Sequence, residues 1–295
     1  MKQNNFKNAF SLVEISIVLL IIGILISGIS TGIDLYQDFK LATAKSLTQN
    51  SRVGRINGLV LWFESSQKSS FEPNNIANGT AITKWKNIAP NLNSNDRARF
   101  DAVKTSISVS GPIYRENVIN SLPGLEFVYA ENRCMQVASG FDGDGKNSSI
   151  FLVFETSNNW TNSLDYRMIS RWPNGGAFYE IRNGGTPFSN NAGWETFSYN
   201  SQALSPVKNK LYSFNLIIDR SSNIKFYLNK KSLGAIANSW TGTHLVSDLY
   251  VGCKGGNGAL FPDASYLELI VYDRALRDNE RIDVENYLTQ KWGKF

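Results

Sequence analysis

The sequence predicts a mainly β protein, a sandwich-forming domain carried behind one long N-terminal helix. Three observations lead there. Residues Ile15–Ile33 contain no charge. From Gly58 onward, short runs rich in Val, Ile, Phe, Tyr and Trp alternate with turns dense in Asn, Ser and Gly. One further stretch, Asp278–Trp292, has the spacing of a helix. A chain of 295 residues is long enough to bury a sizeable core.

The N-terminal element follows from length. The uncharged run Ile15–Ile33 covers roughly 28 Å as a helix, about the hydrocarbon thickness of a bilayer. No small-residue cleavage site of the signal-peptide kind follows it. Leu35, Phe39 and Ala42 then recur at helical spacing, and no proline occurs before Pro73. A single helix is therefore expected from Leu12 to about Arg52, its first half in lipid and its second half outside. Gly28 and Gly32 have the close-packing G-x-x-x-G spacing within it.

Strands are expected at Gly58–Glu64, Leu125–Tyr129, Ser149–Thr156, Tyr166–Trp172, Ala177–Arg182, Trp194–Tyr199, Leu211–Asp219, Ile224–Asn229, Leu249–Cys253 and Tyr266–Asp273. Asp219–Asn223 reads as a hairpin loop. So many strands in one stretch imply a β-sandwich. Ile282, Val284, Tyr287 and Leu288 supply the apolar stripe of the last helix.

Composition excludes several functions. One His rules out a site built on two imidazoles, and two Cys rule out a four-Cys zinc site. The net charge of +5 is concentrated at the front: six Lys/Arg and three acids fall in residues 1–56, leaving 24 against 22 in the rest. A domain so nearly neutral has no general attraction for phosphate backbones, so no nucleic-acid partner is expected.

The stretch Lys7-Asn8-Ala9-Phe10-Ser11-Leu12-Val13-Glu14 and the apolar run behind it resemble the N-terminal segment of type IV prepilins and pseudopilins. That resemblance implies a leader over residues 1–9, cut by a prepilin peptidase between Ala9 and Phe10, and N-methylation of Phe10. It implies that Glu14 neutralises the terminal amine of a neighbouring subunit during assembly, each buried charge offsetting the other's desolvation. The partners would be other pilin-like subunits, the peptidase and membrane lipid. The location would be a single pass of the inner membrane, the head in the periplasm or outside the cell. Two departures stand out: Ala9 replaces the usual Gly, and the membrane helix lacks a proline.

The ending Leu267–Gly293, with its YDRAL turn and closing KWG, resembles laminin-G-like, concanavalin A-like jelly rolls of bacterial surface proteins. Gly58–Phe63, Trp85–Asn87 and Leu122–Phe127 agree with it. The implied organisation is 1–9 leader, 10–56 pilin-type helix with its span at about 15–33, and 57–295 jelly roll. Arg277 stands where relatives have a capping Ser, so Asp278 is expected to cap the last helix.

Within the head, candidate chemistry is weighed against ordinary turns and cores. Asp142 and Asp144 either form a tight turn or direct oxygens at one Ca²⁺, the only cofactor considered. Trp160 and Trp240 lie among polar turn residues, where an indole either packs on the sandwich edge or stacks on a sugar ring. Trp62, Trp85 and Trp292 are expected in the core. Cys134 and Cys253, both beyond the span, are free to pair in an oxidising compartment. His244 sits in a polar loop without a nucleophile motif, and the glycine-rich loop Gly252–Gly258 lacks the helix and Lys-Ser/Thr of a phosphate loop. The paired carboxylates of relatives that hydrolyse glycosides, Glu-x-Asp-x-x-Glu on one strand, are absent, so no enzyme is expected. Three functions remain in order: a pilin-like subunit with a lectin-like head, an adhesin binding glycan or protein, and a displayed carbohydrate-active enzyme.

Overall fold

The computed structural model describes residues 11–73, 76–106, 108, 110–140, 147–161, 166–171, 179–183, 207–219, 221–237, 248–253 and 261–295. Helix α1 (Leu12–Asn50) is continuous over 39 residues, about 58 Å, and a 3₁₀ turn at Val53–Arg55 leads into the head. The strands in chain order are β1 (Leu59–Glu64), β2 (Phe71–Glu72), β3 (Lys84–Trp85), β4 (Ala102–Lys104), β5 (Ile113–Ile119), β6 (Leu122–Phe127), β7 (Met135–Val137) and β8 (Asn147–Thr156). Then follow β9 (Tyr166–Arg171), β10 (Tyr179–Asn183), β11 (Leu211–Asp219), β12 (Asn223–Leu228), β13 (Lys231–Ala237), β14 (Leu249–Val251) and β15 (Ala264–Tyr272). A six-residue helix α2 (Ser94–Arg99) lies between β3 and β4, and α3 (Asp278–Trp292) follows β15.

Two antiparallel sheets form. The first runs β13-β12-β11-β8-β15-β6-β5, with β1 also paired to β15; the second runs β10-β9-β14-β7-β4-β3-β2. The main core lies between them. Ile150, Leu152 and Phe154 of β8 face inward with Leu125, Phe127, Trp85 and Leu269, while Phe151 and Val153 face outward. That outer face is not solvated. It carries a second apolar layer in which Trp62, Ile270 and Tyr272 pack against Val284, Tyr287, Leu288 and Trp292 of α3 and Ala44 of α1. Both faces of β8 are therefore covered at its centre, which explains the unbroken apolar run Ile150–Phe154.

One expectation is corrected, and the structure adds two details. The helix continues past the span as expected, and the face of α1 that meets the head is Gln37, Lys40, Leu41, Ala44, Leu47 and Thr48, all partly or fully buried. Leu35 and Phe39 are 70% and 64% exposed. Several strands escape a propensity reading because they are two or three residues long or, like β5 (IYRENVI), polar edge strands. Asp278 does not cap α3. The Arg277 N–H donates instead to Glu280 Oε2 at 2.9 Å, and Asp278 faces Arg281 at 3.5 Å. Trp194–Tyr199 lies outside the described residues.

Candidate functional site

Three places combine chemistry with position. At the start of α1, Ser11 and Glu14 form a reciprocal cap: Glu14 N–H donates to Ser11 Oγ at 3.2 Å and Ser11 N–H to Glu14 Oε2 at 2.7 Å. Glu14 is exposed at the head of an apolar surface, and α1 is the one helix among the described residues long and apolar enough to cross a membrane. Ala9 and Phe10 lie outside the described residues.

Where α1 meets the head, a charged cluster is sealed in the interior. Glu64 of β1 and Glu268 of β15 are direct cross-strand neighbours. Lys291 of α3 reaches both, at 2.8 and 3.0 Å, with all three side chains fully buried. Glu268 also accepts from Trp62 Nε1 (2.6 Å), Tyr287 Oη (2.8 Å) and Trp292 Nε1 (2.7 Å). Ser66 donates to Glu64 through both its N–H and its hydroxyl, while Glu64 Oε1 is buried without a hydrogen-bond partner among the described residues. From α1, Thr48 Oγ1 accepts from Lys291 at 2.8 Å and lies 3.2 Å from Tyr287 Oη. Burial alone pushes the Glu64 carboxyl up, but attraction by Lys291 and hydrogen bonds from Lys291 and Ser66 outweigh it and hold the group below its ordinary value. Burial, followed by the field of Glu268 and Glu64, keeps Tyr287 a phenol. Two carboxylates sharing one ammonium in a closed interior offer no substrate access. Their chemistry joins β1, β15, α3 and α1.

The third place is an open polar groove of about 470 Å³ between the head and α1. Arg115 and Glu116 of β5, Glu126 of β6, Ser265 of β15 and Glu155 of β8 line it, with Gln37 of α1 at its border. Ser265 stands between Glu126 and Glu155 in register, which fixes these groups in one row across the sheet. Arg115 is paired with Glu126 at 2.6 Å and Lys68 with Glu116 at 3.0 Å.

The remaining sequence candidates separate. Trp160 is a correction: only 1% exposed, it packs in the core with its ring centroid 6.3 Å from that of Phe154, so it presents no face to a sugar. Its polar sequence neighbours hid a short return of the chain into the sandwich. Trp240, Asp142, Asp144 and His244 lie outside the described residues. Cys134 and Cys253 are joined in a disulfide, Cα atoms 5.5 Å apart, against Phe261. Lys291 and Glu64 were missed because a charge that will be buried has the same residue type as a solvated one, and for Glu64 nothing in its sequence context separates the two. Helical spacing does put Lys291 one turn beyond Tyr287, on the apolar stripe, which was the available signal.

No family model and no curated protein matches the chain. Among solved structures, the receptor binding domain of botulinum neurotoxin mosaic serotype C/D is similar with a TM-score of 0.50 at 14% identity, covering 82% of this chain and 55% of that one. The botulinum neurotoxin serotype G binding domain gives 0.47 at 12% identity, covering 79% and 51%. Trypanosoma rangeli sialidase gives 0.44 at 14% identity, covering 81% and 34%. The chain thus spans from a third to just over half of the length of these structures. The head is a jelly-roll sandwich. At such identity the likeness extends to fold and no further.

Proposed function

We propose that the chain is a membrane-anchored, pilin-like subunit of a type IV pilus or type II secretion-type machine, carrying a jelly-roll head. The observation that carries this reading is the two-sided character of α1. One stripe, Gln37 to Thr48, is seated on the head, while the opposite side continues the apolar surface of the span through Leu35 and Phe39 into the region beyond it. A simple anchor has no use for exposed Leu and Phe outside lipid. A helix that must later pack among copies of itself does.

Under this reading a prepilin peptidase removes residues 1–9, Phe10 becomes the methylated terminus, and Glu14 meets the amine of a neighbouring subunit. The head then stands in the periplasm or outside the cell. The sealed Lys291 cluster would transmit force from helix to head without a hinge. The adhesin reading keeps no anchor at Trp160, and no reaction is proposed for the head. The test is incorporation of tagged Glu14→Ala subunits, counted in sheared filaments or cross-linked complexes. Membrane insertion should be unchanged and incorporation should collapse. Equal incorporation of variant and parent would remove Glu14 from assembly and the reading with it.

A further inference from the structure

The polar groove lies at the membrane-facing end of the head. Gln37, the first residue of the docked stripe, borders it and follows the end of the span at Ile33 by four residues, about 6 Å along the helix. The headgroup layer is about 5–7 Å deep on each side of the hydrocarbon, so the groove opens into that layer. This placement rests on the span assigned above.

Its charges are unevenly satisfied. Arg115 and Glu126 neutralise each other, and Glu116 is held by Lys68. Glu155 remains. Its half-buried carboxylate has no hydrogen-bond or ion-pair partner among the described residues, and burial pushes its pKa up. Arg115 engages Glu126 through Nε and Nη2, and its Nη1 makes no hydrogen bond among the described residues. A partly desolvated anion on β8 and a guanidinium with a spare donor on β5, lining one groove across two intervening strands, match a ligand carrying an ammonium and an anionic oxygen a few atoms apart.

We propose that this groove binds the headgroup of a primary-ammonium phospholipid, phosphatidylethanolamine, with the ammonium on Glu155 and the phosphate toward Arg115. A primary ammonium can donate hydrogen bonds to the carboxylate; the quaternary ammonium of phosphatidylcholine has none to give. The volume lies within the range of small-ligand sites. Occupancy would hold the foot of the head against the membrane until the subunit leaves it.

The test uses the full chain in nanodiscs of phosphatidylglycerol mixed with equal phosphatidylethanolamine and phosphatidylcholine, at pH 7.5. Native mass spectrometry counts the lipids retained on the released protein. Retention of phosphatidylethanolamine about tenfold over phosphatidylcholine is expected, as befits one charge-assisted hydrogen-bonded contact. Glu155→Gln should abolish the preference, while Glu72→Gln, on the other sheet and outside the groove, should keep it, with unchanged circular dichroism in both. Soluble phosphoethanolamine should compete. Equal retention of the two lipids, or a preference that survives Glu155→Gln, overturns the proposal. So does displacement by a glucosamine oligosaccharide at lower concentration than by phosphoethanolamine, which would make the groove a glycan site. Failure of the chain to insert at all would instead defeat the anchor reading.

Discussion

Replacing Lys291 with Met keeps most of the side-chain volume but removes the one cation between two buried carboxylates. In the parent, Glu64 and Glu268 lie 2.8 and 3.0 Å from Nζ with no solvent exposure. Removing one partner of such a group strands the others, at a cost of about 3–5 kcal/mol. For a domain of this size each kcal/mol lowers the melting temperature by about 2–4 °C, so a drop of roughly 6–20 °C is expected. The pH dependence gives a sharper signature. Without Lys291 the folded carboxylates are harder to ionise than in the unfolded chain, so the folded state binds more protons and regains stability as pH falls. The gap between variant and parent should therefore be widest near pH 8 and narrow toward pH 5. Thermal unfolding of the detergent-solubilised chain, followed by fluorescence of Trp62 and Trp292 beside the cluster, measures both. A variant as stable as the parent at pH 8, or a gap independent of pH, would refute the reasoning.

Other outcomes follow from the same structure. Trp160→Ala should cost about 3–5 kcal/mol by leaving a cavity beside Phe154, measured by urea unfolding; a stability change near zero would return Trp160 to the surface. Gly252→Ala should be strongly destabilising, because φ is +75° and an added Cβ would run into the Phe127 ring; a normal melting temperature would contradict that packing. Alkylation of the unfolded, unreduced chain should find no free thiol at Cys134 or Cys253, and reduction should cost roughly 4–5 kcal/mol in the loop-entropy account. Glu280 is held at about 2, first by its hydrogen bond from Arg274, so this pair contributes stability above the ordinary carboxylate value and loses it as pH falls from 4.5 toward 2. Arg274→Ala should flatten that part of the acid unfolding curve.

The broad plan was readable because it depends on periodicity. An uncharged run of membrane length, the apolar run Ile150–Phe154 of β8 and α3 with its stripe all follow from local pattern. What pattern does not carry is which of two faces docks. Leu35 and Phe39 are the more apolar side of α1 beyond the span, yet the head takes the more polar stripe containing Gln37, Lys40 and Thr48. The head can do so because Lys291 and Tyr287 meet Thr48 with hydrogen bonds, a match made by residues more than 200 positions away. The same distance hid the cluster itself. Glu64 and Lys291 are ordinary charges in sequence, and only the β1–β15 pairing brings Glu64 beside Glu268. At the groove, Arg115, Glu126 and Glu155 come from three strands that no local signal aligns.

The central claim is that the N-terminal helix is processed and used as a pilin helix, and intact-mass analysis of the protein extracted from native membranes tests it most directly. A chain beginning at Phe10 and carrying one added methyl group is the predicted result. A chain that keeps Met1 in cells with an active prepilin peptidase, or one cut after the apolar run so that the head is released, would contradict it.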